Sequence, residues 1–582
     1  MNVLLVAINA KYIHSNLAVH SLRAYGEKAT GEKIAVAEYT INQPEEDILK
    51  DIYRRRPDWL GFSCYIWNIN TVKVLLPELR KLLPDCEIWL GGPEVSFEGT
   101  KMLEKFPDAD GIMKGEGEQI FADLLGRKLN SEGKIFEKNL QTIPGIVYRG
   151  QGRGITENEG REPMDMDALV FPYEDIGAFE NRIIYYETSR GCPFGCKYCL
   201  SSVDKKLRFR SMEKVKKELQ IFLDAGVPQV KFVDRTFNCR HEHSMEILRF
   251  IKERDNGITN FHFEIAGDLL TKEEIELIQS LRPGLIQLEI GVQSTNPDTL
   301  SAVGRRTEFT VLKENVAALL KNQNVHLHLD LIAGLPLEDY GSFRKSFNEV
   351  YAMQGHELQL GFLKLLIGSP LRGEADQYGI VGRDTAPYEV LWTDRLSYED
   401  VLRLKEAEEM LEIYHNSGQF LHGEKMLLSY MEDAFSLYEK LADFYKVKNY
   451  PVMLSSRLRR YEILLEFFRE CVVGGECVAG REDAVSAEKD FCRCLTLDYY
   501  LRENAKARPS FAPDIDEYKQ KMRAFYEGEE ETPRFLSGYE GYGAKQLARM
   551  THMEAADDEL ILFDYRHRDA VTGNALLIRG IK

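Results

Sequence analysis

Three cysteines within eight residues carry the strongest chemical signal in the chain: Ser189-Arg190-Gly191-Cys192-Pro193-Phe194-Gly195-Cys196-Lys197-Tyr198-Cys199. Gly191, Pro193 and Gly195 keep this stretch turned and non-helical, because glycine allows positive φ and proline fixes its own. Three thiolates can therefore converge on one point. A closed structural zinc takes four ligands, usually as two separated pairs, and no partner pair follows at that spacing. A disulfide uses two cysteines and leaves one over. A 4Fe-4S cluster can take three and leave one iron open to a small ligand. Tyr198 stands just before the last cysteine, where its ring can pack on a ligand at that open iron. A zinc loop and a chance cluster are the competing readings.

The elements around the loop follow from the hydrophobic pattern. The run Ile183-Ile184-Tyr185-Tyr186-Glu187-Thr188 leads into it as a strand. From 181 to 372 short apolar strands then alternate with amphipathic helices. Strands are expected at Gln229–Asp234, Phe261–Ile265, Leu285–Gly291, His326–Ala333 and Glu357–Leu366, making six with five crossovers. Thr271 with Glu274 three residues on forms a capping box for one of the helices. In barrels of parallel strands the active groups sit at the strands' carboxyl ends. The polar residues there are Asp234, Asn238, Glu264, Asp268, Glu289, Gln293, Ser294, Asp330 and Lys364. A charge inside an apolar strand is costly unless it is paired or binds something, and Glu289 is the clearest case. A salt bridge inside the barrel is the alternative for it.

Residues 1–140 show the same alternation. Strands are expected at Val3–Ile8, Ile34–Tyr39, Asp58–Cys64 and Glu87–Pro93, with helices between them, which implies a parallel sheet covered on both faces. Ligands of such sheets sit beyond the carboxyl ends of the strands. Here those ends are Asn9–Asn16, Ser63–Asn70, Gly91–Ser96 and Gly115–Glu118. Residues 141–180 read as a linker containing a hairpin, with a glycine-rich turn at Gly150–Gly154. Residues 373–582 read as a mainly helical domain, with long helices at Tyr398–Asn416, His422–Phe444 and Leu454–Cys471, and a terminal hairpin. This domain is expected to close over the barrel mouth. Cys471, Cys477, Cys492 and Cys494 follow no metal-site spacing and are read as small apolar residues. The fold class is therefore α/β: a Rossmann-like domain, a partial barrel and a helical C-terminal domain.

The Cys-x3-Cys-x2-aromatic-Cys pattern after a strand resembles the radical S-adenosylmethionine superfamily, and the six-strand series resembles its partial (β/α)6 barrel. The resemblance implies that Cys192, Cys196 and Cys199 hold a 4Fe-4S cluster whose open iron binds S-adenosylmethionine, and that Tyr198, Glu289, Gln293 and Arg305 contact that cofactor. The superfamily's Gly-Gly-Glu element is unmatched; Asp234-Arg235-Thr236-Phe237 stands there. The N-terminal domain resembles the cobalamin-binding domain of the large cobalamin-dependent class. On that resemblance Ser63, Gly91, Gly92, Pro93, Glu94, Gly115 and Glu116 line the cobalamin. The first loop, Asn9 to Asn16, lacks the Asp-x-His-x-x-Gly pattern that supplies an axial histidine, although His14 lies within it. An expected alternative is that His14 caps the next helix.

The 582 residues are 44% hydrophobic and 29% charged with a net charge of −18, which argues against a long nucleic-acid groove. No apolar run reaches the roughly 18 residues of a membrane span. The N-terminus lacks a signal-peptide pattern, and ten cysteines at this length suit a reducing cytoplasm. The expected function is methylation of an unactivated carbon in a small-molecule or peptide substrate. An external electron donor such as flavodoxin or ferredoxin would supply reducing equivalents. Ring closure or rearrangement without methyl transfer is the second enzymatic reading. A corrinoid- or iron-sulfur-binding protein without catalysis is a reading from another class.

Overall fold

The computed structural model describes residues 1–581 except 131–136, 151, 153, 453–455, 476–480 and 557–558. Cys477, Leu454 and part of the glycine-rich turn after Arg149 lie outside the described residues.

The first sheet has seven strands. β1 (Val3–Asn9), β2 (Ile34–Thr40), β3 (Trp59–Ser63), β4 (Glu87–Gly91) and β5 (Gly111–Met113) are parallel, and their order is β2-β1-β3-β4-β5. β1 and β3 are buried at every position, as expected of strands covered on both faces. The hairpin β6 (Ile146–Arg149) and β7 (Ile155–Glu157) adds antiparallel to β5 and extends the sheet. Sequence marks the carboxyl end of β5 but not its three-residue body, which is too short to show a period.

The second sheet has six parallel strands in the order β13-β12-β11-β10-β9-β8. These are β8 (Ile184–Tyr186), β9 (Gln229–Phe232), β10 (Asn260–Ile265), β11 (Ile286–Gln293), β12 (His326–Ala333) and β13 (Glu357–Phe362). The expected capping box forms: Glu274 N–H donates to Thr271 Oγ1 at 3.2 Å, and Thr271 N–H donates to Glu274 Oε2 at 2.9 Å. In β11 and β12 buried residues alternate with half-buried ones. Leu288, Ile290, Leu327, Leu329 and Leu331 lie on the buried side, and Glu289, His326, His328 and Asp330 on the other.

After the barrel the chain departs from expectation in three places. The helix expected over His422–Phe444 is two, Leu421–Leu428 and Ala434–Lys448. Asp433 starts the second by accepting from Ser436 N–H, so a new cap overrides the continuous apolar spacing. The terminal hairpin is a three-stranded sheet, because β14 (Thr551–Ala556) pairs with β15 (Glu559–Arg568), which pairs with β16 (Ala575–Ile581).

Of the C-terminal domain expected over the mouth, the first stretch, residues 373–392, reaches the cysteine loop, while the helices after it pack elsewhere. Those helices share one continuous apolar core with the barrel's helical face, through Phe343, Phe347, Tyr438 and Phe435. Among the described residues no further strand pairs with β13; the Asn416 side chain donates to Leu358 C=O at 3.0 Å and accepts from Leu358 N–H at 2.9 Å. Near the mouth lies an irregular arm, residues 367–392. Leu371 N–H donates to Lys197 C=O at 2.9 Å, and Lys197 pairs with Glu374 at 2.8 Å. Among the described residues no helix is long and apolar enough to cross a membrane.

Candidate active site

The cysteine loop is closed at its base by Ser189–Arg190 pairing antiparallel with Arg208–Phe209. Gly191 has φ +89°, and a Cβ there would stand 2.6 Å from Lys206 C=O, so glycine is required for the closure. Cys192 N–H donates to Asp204 C=O at 3.0 Å, and Lys197 N–H to Val303 C=O at 2.9 Å. All three cysteines are unpaired thiols; Cys192 and Cys196 are buried and Cys199 is half-buried. Burial pushes the Cys192 thiol up, and the nearby Cys199 and Cys196 sulfurs add to the rise. Three cysteines on one short loop are a donor set that suits a cluster with one open iron; Cys239, on a separate segment, also lies within electrostatic reach of Cys192.

Asp234, at the end of β9, anchors this loop. Its Oδ1 accepts from Thr188 N–H at 2.7 Å and Ser189 N–H at 2.9 Å, and Oδ2 meets Thr188 Oγ1, which contacts His243 Nε2 at 3.0 Å. Burial pushes the Asp234 carboxyl up to about 7. A folded value above the unfolded one means that the bound proton stabilises the fold. That contribution is full below the unfolded value of 3.8 and is lost as pH rises through about 7. Asp234→Asn is therefore expected to flatten the decline in urea midpoint across that window; an unchanged slope would show that Asp234 does not titrate there.

A cavity of about 240 Å³ opens beside the loop, lined among others by Cys196, Glu264, Gln293, Arg305 and Asp330. Gln293 sits at φ +74°, where non-glycine residues are rare, and its Oε1 is buried without a partner. Arg305 donates through Nη2 to Gly291 C=O and through Nη1 to Cys196 Sγ at 3.8 Å and Tyr198 Oη at 3.5 Å, while its Nε is unpartnered. Asp330 Oδ1 is likewise unpartnered. Several orphaned polar atoms around one cavity fit a polar, zwitterionic ligand such as S-adenosylmethionine. Glu289 lines the same cavity but is engaged, by Lys231 Nζ at 3.1 Å and His262 Nε2 at 3.0 Å. Burial works to raise its carboxyl, yet His262 and Lys231 hold it down to about 2. Asn238 and Ser294 serve the scaffold: Asn238 bonds Ala266 N–H and C=O at 2.9 Å each, and Ser294 donates to Glu338 at 2.6 Å.

A larger cavity of about 710 Å³ lies between the strand ends of the first sheet and the face of the barrel. Ser63, Gly91, Gly92, Pro93, Gly115 and Glu116 line it, as does His14. Gly92 has φ +108°, and a Cβ there would stand 2.5 Å from Cys64 C=O, so only glycine permits this close turn. Ser63 Oγ is buried and unpartnered. A large cavity floored by backbone and glycines fits a corrinoid. Glu94 is absent from the lining; it is buried and accepts from Tyr388 Oη of the arm. Glu116 reaches the lining, but its carboxylate accepts from Arg208 at 2.6 Å and from Met164 N–H at 2.9 Å. His14 Nδ1 bonds Tyr185 Oη at 2.7 Å, and Asn16 rather than His14 caps the following helix.

Sequence reasoning missed the clamp between the halves. Arg190 pairs with Glu118 at 2.6 Å and Glu187 at 2.9 Å, and Arg208 with Glu116. It also missed Lys231, although the rule that singled out Glu289 applies equally to a lysine inside β9. Arg235 and Glu264 line both cavities, so the two spaces adjoin there. Tyr65 and Trp67 stack on the larger cavity's wall with ring centroids 4.4 Å apart.

These features agree with family comparisons. Residues 186–350 match the Radical SAM superfamily, residues 3–125 the B12 binding domain, and residues 376–571 a family described as a protein of unknown function, DUF4080. The chain thus carries a radical SAM domain and, before it, a B12 binding domain. The radical SAM domain implies a 4Fe-4S cluster and S-adenosylmethionine, and the B12 binding domain a cobalamin.

The chain is 26% identical over 416 residues to the cobalamin-dependent radical SAM methyltransferase TokK of Streptomyces tokunonensis, covering 65% of this chain and 57% of that protein. It is 24% identical over 329 residues to the anaerobic magnesium-protoporphyrin IX monomethyl ester cyclase of Rubrivivax gelatinosus, covering 54% and 58%. The alignments thus span little more than half of these relatives. The structure of the cobalamin-dependent S-adenosylmethionine radical enzyme OxsB superposes with a TM-score of 0.58 at 16% identity, covering 89% of this chain and 83% of that one. That likeness shows the fold.

Proposed function

We propose that this protein is a cobalamin-dependent radical S-adenosylmethionine enzyme that methylates an unactivated carbon of a small-molecule or peptide substrate. The observation that carries the reading is the junction at Arg235 and Glu264, where the cavity beside the cysteine loop meets the cavity above the first sheet. Two cofactor spaces that share a wall allow a radical made in one and a carbon donor held in the other to reach one substrate.

In this reading Cys192, Cys196 and Cys199 hold the cluster, and Tyr198, Gln293 and Arg305 hold S-adenosylmethionine. Ser63, Gly91, Gly92, Pro93 and Gly115 cradle the cobalamin. When bound, the cofactors supply reductive cleavage, hydrogen abstraction and methyl transfer. Arg305 places positive charge beside the Cys196 sulfur. Lys231 and His262 keep Glu289 ionised as a fixed negative charge on the cavity wall. The Arg190 clamp fixes one half against the other, so the distance between the two spaces does not drift. A flavodoxin or ferredoxin is the reductant this chemistry calls for, and the cytoplasm its compartment.

The test is anaerobic reconstitution with both cofactors and a strong reductant, followed by product analysis on candidate substrates. Methylation yields 5′-deoxyadenosine and S-adenosylhomocysteine together. Deoxyadenosine with a changed substrate but without S-adenosylhomocysteine would instead favour the ring-forming or rearrangement reading, to which the cyclase relative lends support. Neither product would overturn both.

A further inference from the structure

The barrel floor, at the amino ends of the strands, carries polar groups that this chemistry does not use. On β12 His326 and His328 face inward while Leu327 and Leu329 are buried on the other side. The parallel register sets Glu357 of β13 directly beside His328. His326 Nε2 lies 3.8 Å from Glu357 Oε1, and His328 Nδ1 lies 3.3 Å from Glu357 Oε2. One donor atom from each residue falls within 4.8 Å of the other two. Yet among the described residues none of the three side chains makes a hydrogen bond. His326 Nδ1 and His328 Nε2 are moreover shut off from solvent without a partner. Those orphaned nitrogens are the outer ones; the inner pair, His326 Nε2 and His328 Nδ1, converge with the Glu357 carboxylate into a donor set that the strand register holds together.

We infer that His326, His328 and Glu357 bind one divalent transition-metal ion. Two imidazoles and a carboxylate are borderline donors that suit zinc, and zinc accepts three protein ligands with a water in the fourth position. The neighbouring His356 stacks on His326, with ring centroids 4.7 Å apart and planes at 24°. Its Nδ1 accepts from Leu327 N–H at 3.1 Å, which fixes that ring and braces the His326 imidazole. On β12 the cluster cavity is reached one pleat further along, at Asp330, while Glu289 of its wall sits in register with His328. The ion's role is to tie β12 to β13, the last strand of an open barrel.

The test is a metal count on the full-length protein, purified anaerobically with its cluster and cobalamin and dialysed against zinc. Wild type is expected to retain about one zinc per chain beyond its iron and cobalt. Glu357→Gln and His328→Gln are expected to lose it with iron unchanged. A wild-type protein without zinc would overturn the inference. So would zinc that survives E357Q and disappears in C196A, since the ion would then sit on the cluster cysteines. Thermal unfolding covers the case of a poorly folded H328Q variant. EDTA should lower the Tm of wild type but not that of E357Q; equal shifts, or none, would overturn the site.

Discussion

Cys196→Ala yields a protein that folds but holds less iron than wild type and cleaves no detectable S-adenosylmethionine under a strong reductant. Cys196 is the buried central thiol of the loop, it lines the smaller cavity, and Arg305 donates to its sulfur. An alanine there removes one of three anchors, and no fourth thiol stands ready in the loop. The fold is expected to survive, because apart from the long Arg305 contact the loop is held by backbone hydrogen bonds of Cys192, Lys197 and Cys199. Iron content and the characteristic brown absorbance read the first effect, and deoxyadenosine formation the second. Full iron and undiminished cleavage would sink the assignment of the cysteine loop.

The second large effect is expected from Arg190→Ala. The guanidinium is 15% exposed and its partner Glu118 only 6%. Removing it leaves the Glu118 carboxylate buried without its countercharge, which costs about 3–5 kcal/mol. Ser21 still donates to that carboxylate at 3.3 Å, but a neutral hydroxyl does not offset a charge. Because Arg190 belongs to the base of the cysteine loop and Glu118 to the first domain, both stability and cobalamin retention should fall. Urea unfolding and cobalt content measure the two. Arg190→Lys keeps the charge but loses the two-pronged geometry and should lie between. A Glu118→Gln variant made on R190A should recover part of the loss, since a buried amide costs less than an unpaired carboxylate. If R190A unfolds at the wild-type midpoint, the clamp contributes nothing.

The sequence revealed much of this architecture because parallel strands buried on both faces leave continuous apolar runs, as β1 and β3 do. The cysteine loop was legible for a different reason: its spacing and its glycines have one chemical use. Contacts between distant segments left no local trace. Glu94 lies in a glycine-rich turn and reads as a cofactor contact, but its carboxylate meets Tyr388, 294 residues away. Glu116 reads the same way and is taken up by Arg208. The break between the helices ending at Leu428 and starting at Ala434 was hidden because the apolar period runs through it, while the Asp433 cap that decides it is a single residue. The position of the C-terminal helices could not be read at all, since amphipathic spacing reports which face is apolar and not what covers it.

Asn416 has a further consequence. A β-strand at the end of a sheet is a template for pairing with other chains. Here one amide occupies both hydrogen-bonding groups of Leu358 at the start of β13. It does so from the far end of a helix that begins at Tyr398. The segment beyond the barrel thus acts as an internal guard against self-association. A chain ended by cleavage after Arg372 would keep its catalytic cysteines yet expose a sticky border, and aggregation would then be the first sign of the missing region.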